Sequence, residues 1–254
     1  MLPPFSLIIP AFNEADRIGQ TIRLTLKYLA DVAPDAELIV VNDGSTDATS
    51  GVSREVLATA TVQTQFLENF PNRGKGAAVR RGLLAAQKPI GLFSDADLST
   101  PLEETPKLIE PIAKDEVDIA FGSRALDRRL IGNHQPWRRE QAGRVFNLIV
   151  RLATGLPFWD TQCGFKAFRL DVCRPILERA RVIGFAFDVE LLYLARRAGL
   201  RIREIPVRWN HHEGSKIRLI HDSLRMLREI VMLRAQVEAI DPIARGELRE
   251  PRKL

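Results

Sequence analysis

The sequence predicts an α/β protein with a mostly parallel central sheet flanked by helices. The 254-residue chain is 45% hydrophobic, which is enough to bury a full core in one large domain. Short apolar segments typical of buried strands alternate with longer segments typical of helices as far as residue 97. Three of the strand segments end in polar or acidic loops. Since ligands bind at the carboxyl ends of strands in open α/β sheets, these loops predict one crevice.

The first part of the chain alternates strictly between strand and helix. We predict strand 6–9, helix 15–30, strand 37–41, helix 46–60, a short strand 62–67, helix 75–87 and strand 90–94. This alternation is typical of parallel βαβ units with right-handed crossovers.

The pattern becomes less regular after residue 97. We predict helix 103–114, strand 117–121, helix 138–154, an irregular stretch 157–168, helices 171–180 and 187–198, strand 202–209 and a last helix 217–236. No segment rich in Gly or Pro separates domains. We therefore expect one domain over residues 1–236, with halves 6–97 and 98–236, followed by a flexible charged tail at 237–254.

Charge and cysteine content narrow the class of partner. A net charge of +5 and a pI near 9.5 suit a phosphate-bearing or anionic partner, and nucleic acid is not expected. Cys163 and Cys173 lack metal-ligand spacing, so we interpret both as reduced structural residues. The N-terminus lacks a basic segment of the secretory type, and no apolar run approaches the ~18 residues of a membrane span. We expect a cytoplasmic location.

Two carboxylates stand at the end of the strand that precedes residue 95. Asp95 and Asp97, one residue apart, can share a divalent cation of the kind that holds nucleotide phosphates. The alternative is an ordinary acidic turn at a strand end. A second acidic loop, 42–47, and the loop 10–14 follow earlier strands, so the three loops together favour a metal and nucleotide site.

A glycine-rich segment precedes the predicted helix 75–87. It is not a Walker A loop, because Lys75 is followed by Gly76 rather than Ser or Thr. Gly74 and Gly76 nevertheless stand at a helix N-terminus, where amides and the helix dipole favour an anion. A plain glycine-rich helix start is the alternative.

The order and spacing of these segments carry a family resemblance. Residues 9–14, 42–45, 74–76 and 95–97 resemble the nucleotide half of the GT-A fold in family 2 glycosyltransferases, a Rossmann-like arrangement. Segments 121–124, 160–166, 186–192 and 213–216 resemble the polyprenyl-phosphate branch of that family. Within the branch the dolichyl-phosphate β-glucosyltransferases are most similar, and the dolichyl-phosphate mannosyltransferases come next. The resemblance extends from residue 6 to about 235, and 160–166 is its most specific part.

The resemblance implies an inverting, metal-dependent hexosyltransferase. Glucose from UDP-glucose would move to a dolichyl- or undecaprenyl-type phosphate, with Mg²⁺ or Mn²⁺ as cofactor. A GDP-mannose-dependent mannosyltransferase and a catalytically silent nucleotide-sugar-binding protein are the alternatives. A haloacid-type phosphatase also carries an Asp-x-Asp after a strand, but there the motif follows the first strand, whereas here about ninety residues precede it.

The resemblance also implies donor-site residues. Pro10, Asn13 and Glu14 would line the base and ribose, and Asp43 would bind the uracil edge. The metal and diphosphate would meet Asp95 and Asp97, with Lys75 and Ala96 beside them. Two positions depart from relatives: Asn42 stands where many have Asp, and Ser99 stands where the mannosyltransferases have Gln.

An acceptor phosphate is already a dianion at neutral pH, so it requires cationic partners rather than a general base. We expect these partners to be Arg124, Arg139, Ser215 and Lys216. Asp97, Arg124 and Lys216 are the predicted catalytic residues. The resemblance further suggests sugar or acceptor contacts from Asp160, Gln162, Asp188 and Glu190. Asp188 and Glu190 are two residues apart on one helix and should point in different directions, and a capping or surface role for Asp188 is an alternative.

The predicted helix 217–236 combines an apolar stripe with an arginine-bearing polar face. Such a helix can lie on an anionic membrane, or it can pack on the core of its own domain. With a lipid acceptor, we expect a protein bound peripherally to the inner face of a membrane.

Overall fold

A seven-stranded mixed sheet forms the centre of the protein. The computed structural model describes residues 1–133 and 137–211 together with 226 and 229, and it excludes the side chains of 138, 139 and 142. The strands are β1 (Phe5–Ala11), β2 (Glu37–Asn42), β3 (Gln63–Glu68), β4 (Ile90–Ser94), β5 (Ile119–Ser123), β6 (Phe165–Arg169) and β7 (Ile202–Pro206). Their spatial order is β3-β2-β1-β4-β6-β5-β7, and only β6 runs antiparallel to its neighbours.

Seven α-helices cover the two faces of this sheet in the described part of the chain. They are α1 (Ala15–Val32), α2 (Thr49–Leu57), α3 (Lys75–Ala85), α4 (Thr105–Ala113), α5 (Trp137–Thr154), α6 (Leu170–Arg179) and α7 (Phe187–Arg197). Short 3₁₀ turns lie at Leu102–Glu104 and Arg128–Leu130.

Alternate residues of the buried strands belong to two separate hydrophobic cores. In β1, Ile8 packs with α3, α6 and α7, whereas Leu7 and Ile9 pack with α1 and α4 on the other face. Because both faces are covered, the central strands are continuous apolar runs, as in other largely parallel sheets. The predicted α/β class with a mostly parallel sheet is confirmed.

The predicted irregular stretch 157–168 is wrong at its end, because β6 begins at Phe165. This strand lies between β4 and β5 and joins the two halves of the chain in one sheet. Its apolar pattern is broken by Lys166, a lysine that is fully buried. A buried lysine in a strand requires a charged partner distant in sequence, which periodicity does not reveal.

The remaining differences concern the ends of elements. The helix predicted at 46–60 spans Thr49–Leu57, and the strand predicted at 202–209 ends at Pro206. Trp209 instead forms an isolated parallel bridge with Ile131. The predicted helix 217–236 and tail 237–254 lie outside the described residues, so the division into a domain and a tail stays a prediction.

Candidate active site

The carboxyl ends of β1 and β2 lie side by side. Ala11 pairs in register with Asn42, and the Asp43 amide continues the ladder by donating to the Ala11 carbonyl at 2.8 Å. Beyond the strands, Asn13 accepts a hydrogen bond from the Thr46 amide at 2.8 Å. The Glu14 amide donates to Thr49 Oγ1 at 2.7 Å. The end of β1, which contains Pro10, and the loops that contain Asn13, Glu14 and Asp43 are therefore joined by hydrogen bonds at one edge of the sheet.

Asp43 holds the loop that leads into α3. Its carboxylate accepts hydrogen bonds from the side-chain amides of Asn69 at 2.7 Å and Asn72 at 2.9 Å. It also accepts from the backbone amides of Arg73 at 3.2 Å and Gly74 at 2.7 Å. Asp43 is 2% exposed. The structure thus gives this residue a scaffolding role, and the predicted contact with a uracil edge stays a prediction.

The glycine-rich start of α3 is packed against another segment. The Gly74 amide is taken by Asp43, and the Gly76 amide donates to the Ile183 carbonyl at 2.9 Å. Gly74 has φ +103°, and a Cβ there would collide with the same carbonyl. Because both amides already have protein partners, the expectation of an anion bound by them is not supported. The glycines serve a close approach of two backbone segments.

Lys75, the first residue of α3, connects this loop to the predicted metal carboxylates. Its Nζ lies 2.6 Å from Oδ1 of Asp95. Burial lowers the pKa of Lys75, but the negative charges of Asp95, Asp188 and Asp97 outweigh it and raise the pKa above its ordinary value. Lys75 is therefore a fixed cation among three carboxylates.

Asp97 is partly buried, whereas a carboxylate on a simple surface loop would be exposed. The Ser99 amide donates to its Oδ1 at 2.9 Å, and the preceding Ala96 carbonyl accepts from Thr21 Oγ1 at 2.6 Å. Leu98 takes φ +48°, which turns the chain sharply after the two carboxylates. These contacts fix the Asp95–Asp97 turn at the end of β4.

The donor set at this turn fits a divalent cation that keeps other ligands. Two carboxylates are enough for Mg²⁺, which usually binds one or two of them together with waters and substrate phosphates. Throughout the residues that the structure describes, no group of three or more His, Cys, Asp or Glu forms a complete protein cage. Asp95 and Asp97 would therefore hold the cation jointly with a diphosphate.

The run 160–166 is the centre of the site's second side. Asp160 is 1% exposed, and its Oδ2 and Oδ1 accept from Nε and Nη2 of Arg124 at 2.7 and 2.8 Å. Burial raises the pKa of Asp160, but Arg124 outweighs this effect and holds the pKa below its ordinary value. Burial lowers the pKa of Arg124, but the charge of Asp160 and the hydrogen bonds to it outweigh this effect and raise the pKa above its ordinary value.

Gly164 and Lys166 extend the same run toward the donor edge. The Asp95 amide donates to the Gly164 carbonyl at 3.2 Å, and a Cβ on Gly164 would collide with the Asp95 carboxylate. Lys166 Nζ lies 2.7 Å from Oδ1 of Asp188 and donates to the Cys163 carbonyl. The rings of Phe93 and Phe121 flank this ammonium at 5.4 and 5.8 Å. Burial also raises the pKa of the Cys163 thiol to about 12, so the thiol is inert.

Asp188 and Glu190 point in different directions, as their spacing on α7 predicts. Glu190 accepts from the amides of Arg181 and Val182, both at 2.8 Å, and holds the segment before α7. Asp188 is 3% exposed and contacts Lys166, and burial raises its pKa despite that lysine. The alternative of a surface role for Asp188 is wrong. Of the two carboxylates, Asp188 faces the Lys75 and Asp95 side.

A cavity of about 440 Å³ opens beside Arg124. Its walls combine arginines and tryptophans, mainly Arg124, Arg128, Arg144, Arg151, Trp159 and Trp209, with the carboxylates of Asp160 and Glu140, which pair with Arg124 and Arg128. Arg124 lies over the Trp209 ring at 5.4 Å, and Arg151 lies over the Trp159 ring at 3.8 Å. A ligand that combines a phosphate with an apolar part fits these walls.

The structure brings most of the predicted site residues together. Gln162 is placed by a long contact of 3.9 Å from Nε2 to Met226 Sδ, which assigns it no clear ligand role. Ser215, Lys216 and the side chain of Arg139 lie outside the described residues. Lys166 was missed as a site residue, and the signal available was a lysine within the apolar run Phe165–Phe168.

In the described part of the chain, no helix is both long and apolar enough to cross a bilayer.

The mixed sheet and its carboxylate-bearing edge define a GT-A glycosyltransferase. The glucosyl-3-phosphoglycerate synthase of Mycobacterium tuberculosis superimposes with a TM-score of 0.65 at 21% identity, covering 98% of this chain and 81% of the synthase. That protein was crystallised with Mn²⁺, UDP and glucosyl-3-phosphoglycerate. This likeness shows the fold.

The chain belongs to glycosyl transferase family 2, whose model matches residues 6–177. The dolichyl-phosphate β-glucosyltransferase of Saccharomyces cerevisiae is 32% identical over 90% of this chain and 73% of its own length. The enzyme of the same name from Drosophila melanogaster is 36% identical over 90% of this chain and 73% of its own length. The family and branch expected from the motifs are confirmed.

Proposed function

We propose that this family 2 enzyme transfers glucose from UDP-glucose to a polyprenyl phosphate with inversion. One observation carries the proposal: Arg124, held by buried Asp160, lines an apolar and cationic cavity, and Gly164 of the same run 160–166 contacts Asp95 of the donor edge. A cationic position suited to an acceptor phosphate and an acidic position suited to a donor diphosphate would thus belong to one site. The relatives named dolichyl-phosphate β-glucosyltransferase support this choice of donor and acceptor.

The donor side would hold UDP-glucose at the ends of β1, β2 and β4. Pro10, Asn13 and Glu14 would line the base and ribose, beside the loop that contains Asp43 and Thr46. Lys75, which pairs with Asp95, would instead pair with the negatively charged diphosphate. A bound Mg²⁺ or Mn²⁺, held by Asp95 and Asp97, would stabilise the departing diphosphate as a Lewis acid.

The acceptor side would hold the phosphate of the lipid in the cavity. The Nε and Nη2 edge of Arg124 is committed to Asp160, which leaves the Nη1 edge for a phosphate oxygen. Asp160 is in this interpretation a positioning residue that acts through Arg124. Arg139, Ser215 and Lys216 remain further proposed phosphate contacts.

The reaction then needs no general base. A dianionic phosphate oxygen attacks C1 of glucose from the face opposite the diphosphate, and a new C1–O bond forms. The old bond between C1 and the diphosphate oxygen breaks, and its electron pair leaves with UDP. The chain's residues align the two anions, which would otherwise repel one another, and stabilise the charge that develops on the leaving group.

Asp97→Asn tests the donor edge. Turnover should fall at least about 100-fold, because the substitution removes charge from the metal position, and the melting temperature should stay nearly unchanged. Glucosyl transfer to polyprenyl phosphate is measured with UDP-glucose and Mg²⁺ or Mn²⁺. Asp35→Asn, at an exposed turn far from the edge, is the matched control and should retain full activity.

A panel of nucleotide sugars and a chelator complete the test. Preference for GDP-mannose would show that the protein is a mannosyltransferase. Undiminished transfer in excess chelator would show that the reaction does not need a metal. Binding of nucleotide sugars without transfer to any polyprenyl phosphate would leave a catalytically silent binding protein.

A further inference from the structure

Exposed hydrophobic side chains are concentrated in one region of the protein. Six of the eleven large hydrophobic residues exposed in the described part of the chain lie between residues 126 and 159. They are Leu126, Trp137, Val145, Leu148, Leu152 and Trp159. A concentration of this kind on a soluble surface marks a contact with another apolar phase.

Four of these residues form a stripe along α5. At 100° per residue, Trp137, Val145, Leu148 and Leu152 fall within an arc of about 80°. Leu152 is 75% exposed and Trp137 71% exposed. Phe146 and Val150 lie on the opposite side of the helix and are buried in the core. The helix therefore has two apolar faces, and the residues that the structure describes cover the inner one and leave the outer one exposed.

The edge of the stripe is cationic and aromatic. Arg144 and Arg151 lie next to it on α5, and the exposed Trp159 stacks against Arg151. Arginine, tryptophan and leucine together are typical of surfaces that sit at the boundary between lipid headgroups and acyl chains.

The stripe also adjoins the acceptor cavity. Leu148, Arg144 and Arg151 belong both to α5 and to the cavity wall that includes Arg124. A lipid with its phosphate at Arg124 would emerge from the cavity across this edge. The surface is thus continuous with the site that the proposed function assigns to a lipid.

We propose that the stripe of α5, with Trp159, is the surface on which the protein lies against an anionic lipid bilayer. The inference rests on the proposed function for its acceptor, but it concerns a different residue set. The charge of the surface favours an anionic bilayer over a second copy of the protein. A second copy docked through the same stripe would bring Arg144 and Arg151 against the same arginines. The segment 217–236 of this chain is also rich in arginine and would meet like charge.

Leu152→Glu is the test, because Leu152 is highly exposed and is not part of the cavity wall. The full-length protein is sedimented with vesicles of phosphatidylcholine containing about 30% phosphatidylglycerol. Leu24→Glu is the matched control, since Leu24 is 49% exposed on α1. We expect vesicle binding to fall roughly tenfold in Leu152→Glu and to change less than twofold in Leu24→Glu. Wild-type binding should weaken with salt and with neutral vesicles.

Transfer to a short, water-soluble prenyl phosphate separates this inference from the proposed function. Leu152→Glu should keep wild-type activity on the soluble acceptor and lose it only on acceptor embedded in vesicles. Equal vesicle binding by the two variants would overturn the bilayer surface even if glucosyl transfer is found. A dimeric wild type that becomes monomeric in Leu152→Glu would overturn it in favour of a second copy. Vesicle binding that depends on Leu152, without transfer to either acceptor, would support the surface and contradict the function.

Discussion

The two sides of the site hold their charged groups in different ways. On the proposed donor side, Asp43 is held by backbone and side-chain amides, Asp97 accepts a hydrogen bond from the Ser99 amide, and the half-exposed Asp95 pairs with Lys75. On the second side, along the run 160–166, each ion pair contains a buried carboxylate: Arg124 pairs with Asp160 and Lys166 with Asp188. Removing a charge from the first side leaves neutral amides without a partner, some of them buried, at a cost of about 1–3 kcal/mol each. Removing one from the second leaves a buried partner without compensation, so the two sides should differ in their sensitivity to substitution.

Lys166→Met should have the largest effect on stability. The substitution leaves Asp188 charged and buried, which costs about 3–5 kcal/mol of unfolding free energy. Urea unfolding followed by circular dichroism measures the loss. In the double variant Lys166→Met/Asp188→Asn both charges are gone, and most of the loss should be recovered. If the double variant is as unstable as the sum of the single variants, the pair is not coupled.

Arg124→Lys should mainly affect the acceptor. A lysine keeps the charge but cannot engage Asp160 through two parallel bonds and still offer an edge to a phosphate. We expect kcat/KM for polyprenyl phosphate to fall by about 10- to 100-fold. The affinity for UDP-glucose, measured by calorimetry, should stay nearly unchanged. A collapse of donor affinity with intact acceptor kinetics would assign Arg124 to the donor side.

Gly164→Ala should sharpen the boundary between the two sides, since Gly164 belongs to the run 160–166 but contacts Asp95. The added methyl group displaces the Asp95 carboxylate, and Mn²⁺ affinity in the presence of UDP should fall about tenfold. Calorimetric titration measures it. Gly51→Ala is the control, because a Cβ there meets nothing within 4 Å. Unchanged Mn²⁺ affinity would mean that Asp95 does not hold the cation.

Asp118→Asn should have the smallest effect on the free energy of unfolding, and this effect should depend on pH. Burial raises the pKa of Asp118, but hydrogen bonds and charge from Arg201 outweigh it and depress the pKa below its ordinary value. A depressed carboxyl pKa contributes stability above the unfolded pKa of about 4 and loses it as the pH falls through the folded value. Asp118→Asn should therefore cost about 1 kcal/mol at neutral pH and progressively less as the pH falls below the unfolded pKa of about 4. A constant difference between wild type and variant across this range would contradict the linkage.

The sequence predicted the donor side more completely than the acceptor side. Strands β1, β2 and β4 follow from their apolar runs, and the Asp95–Asp97 turn follows from its place after β4, because both depend on local pattern. The strand β6 was not predicted, since Lys166 makes its pattern irregular and its partner Asp188 lies 22 positions further on. The roles of Asp43 and Gly76 were also not evident, because their partners come from other loops. The roles of Lys166, Asp43 and Gly76 depend on partners that are distant in the sequence, and local sequence propensity does not reveal such partners.

The contact between Lys75 and Asp95 gives the site an internal counter-ion. Without substrate, the lysine neutralises one of the carboxylates that a divalent cation would use. A cation that arrives alone must expel Lys75 into a partly buried region, whereas a cation that arrives with a diphosphate supplies the lysine with a new anionic partner. Free metal should therefore bind weakly and the metal–nucleotide complex strongly. The protein would therefore bind the nucleotide sugar as its complex with the metal. The Lys75–Asp95 ion pair alone would decide that metal and donor bind together.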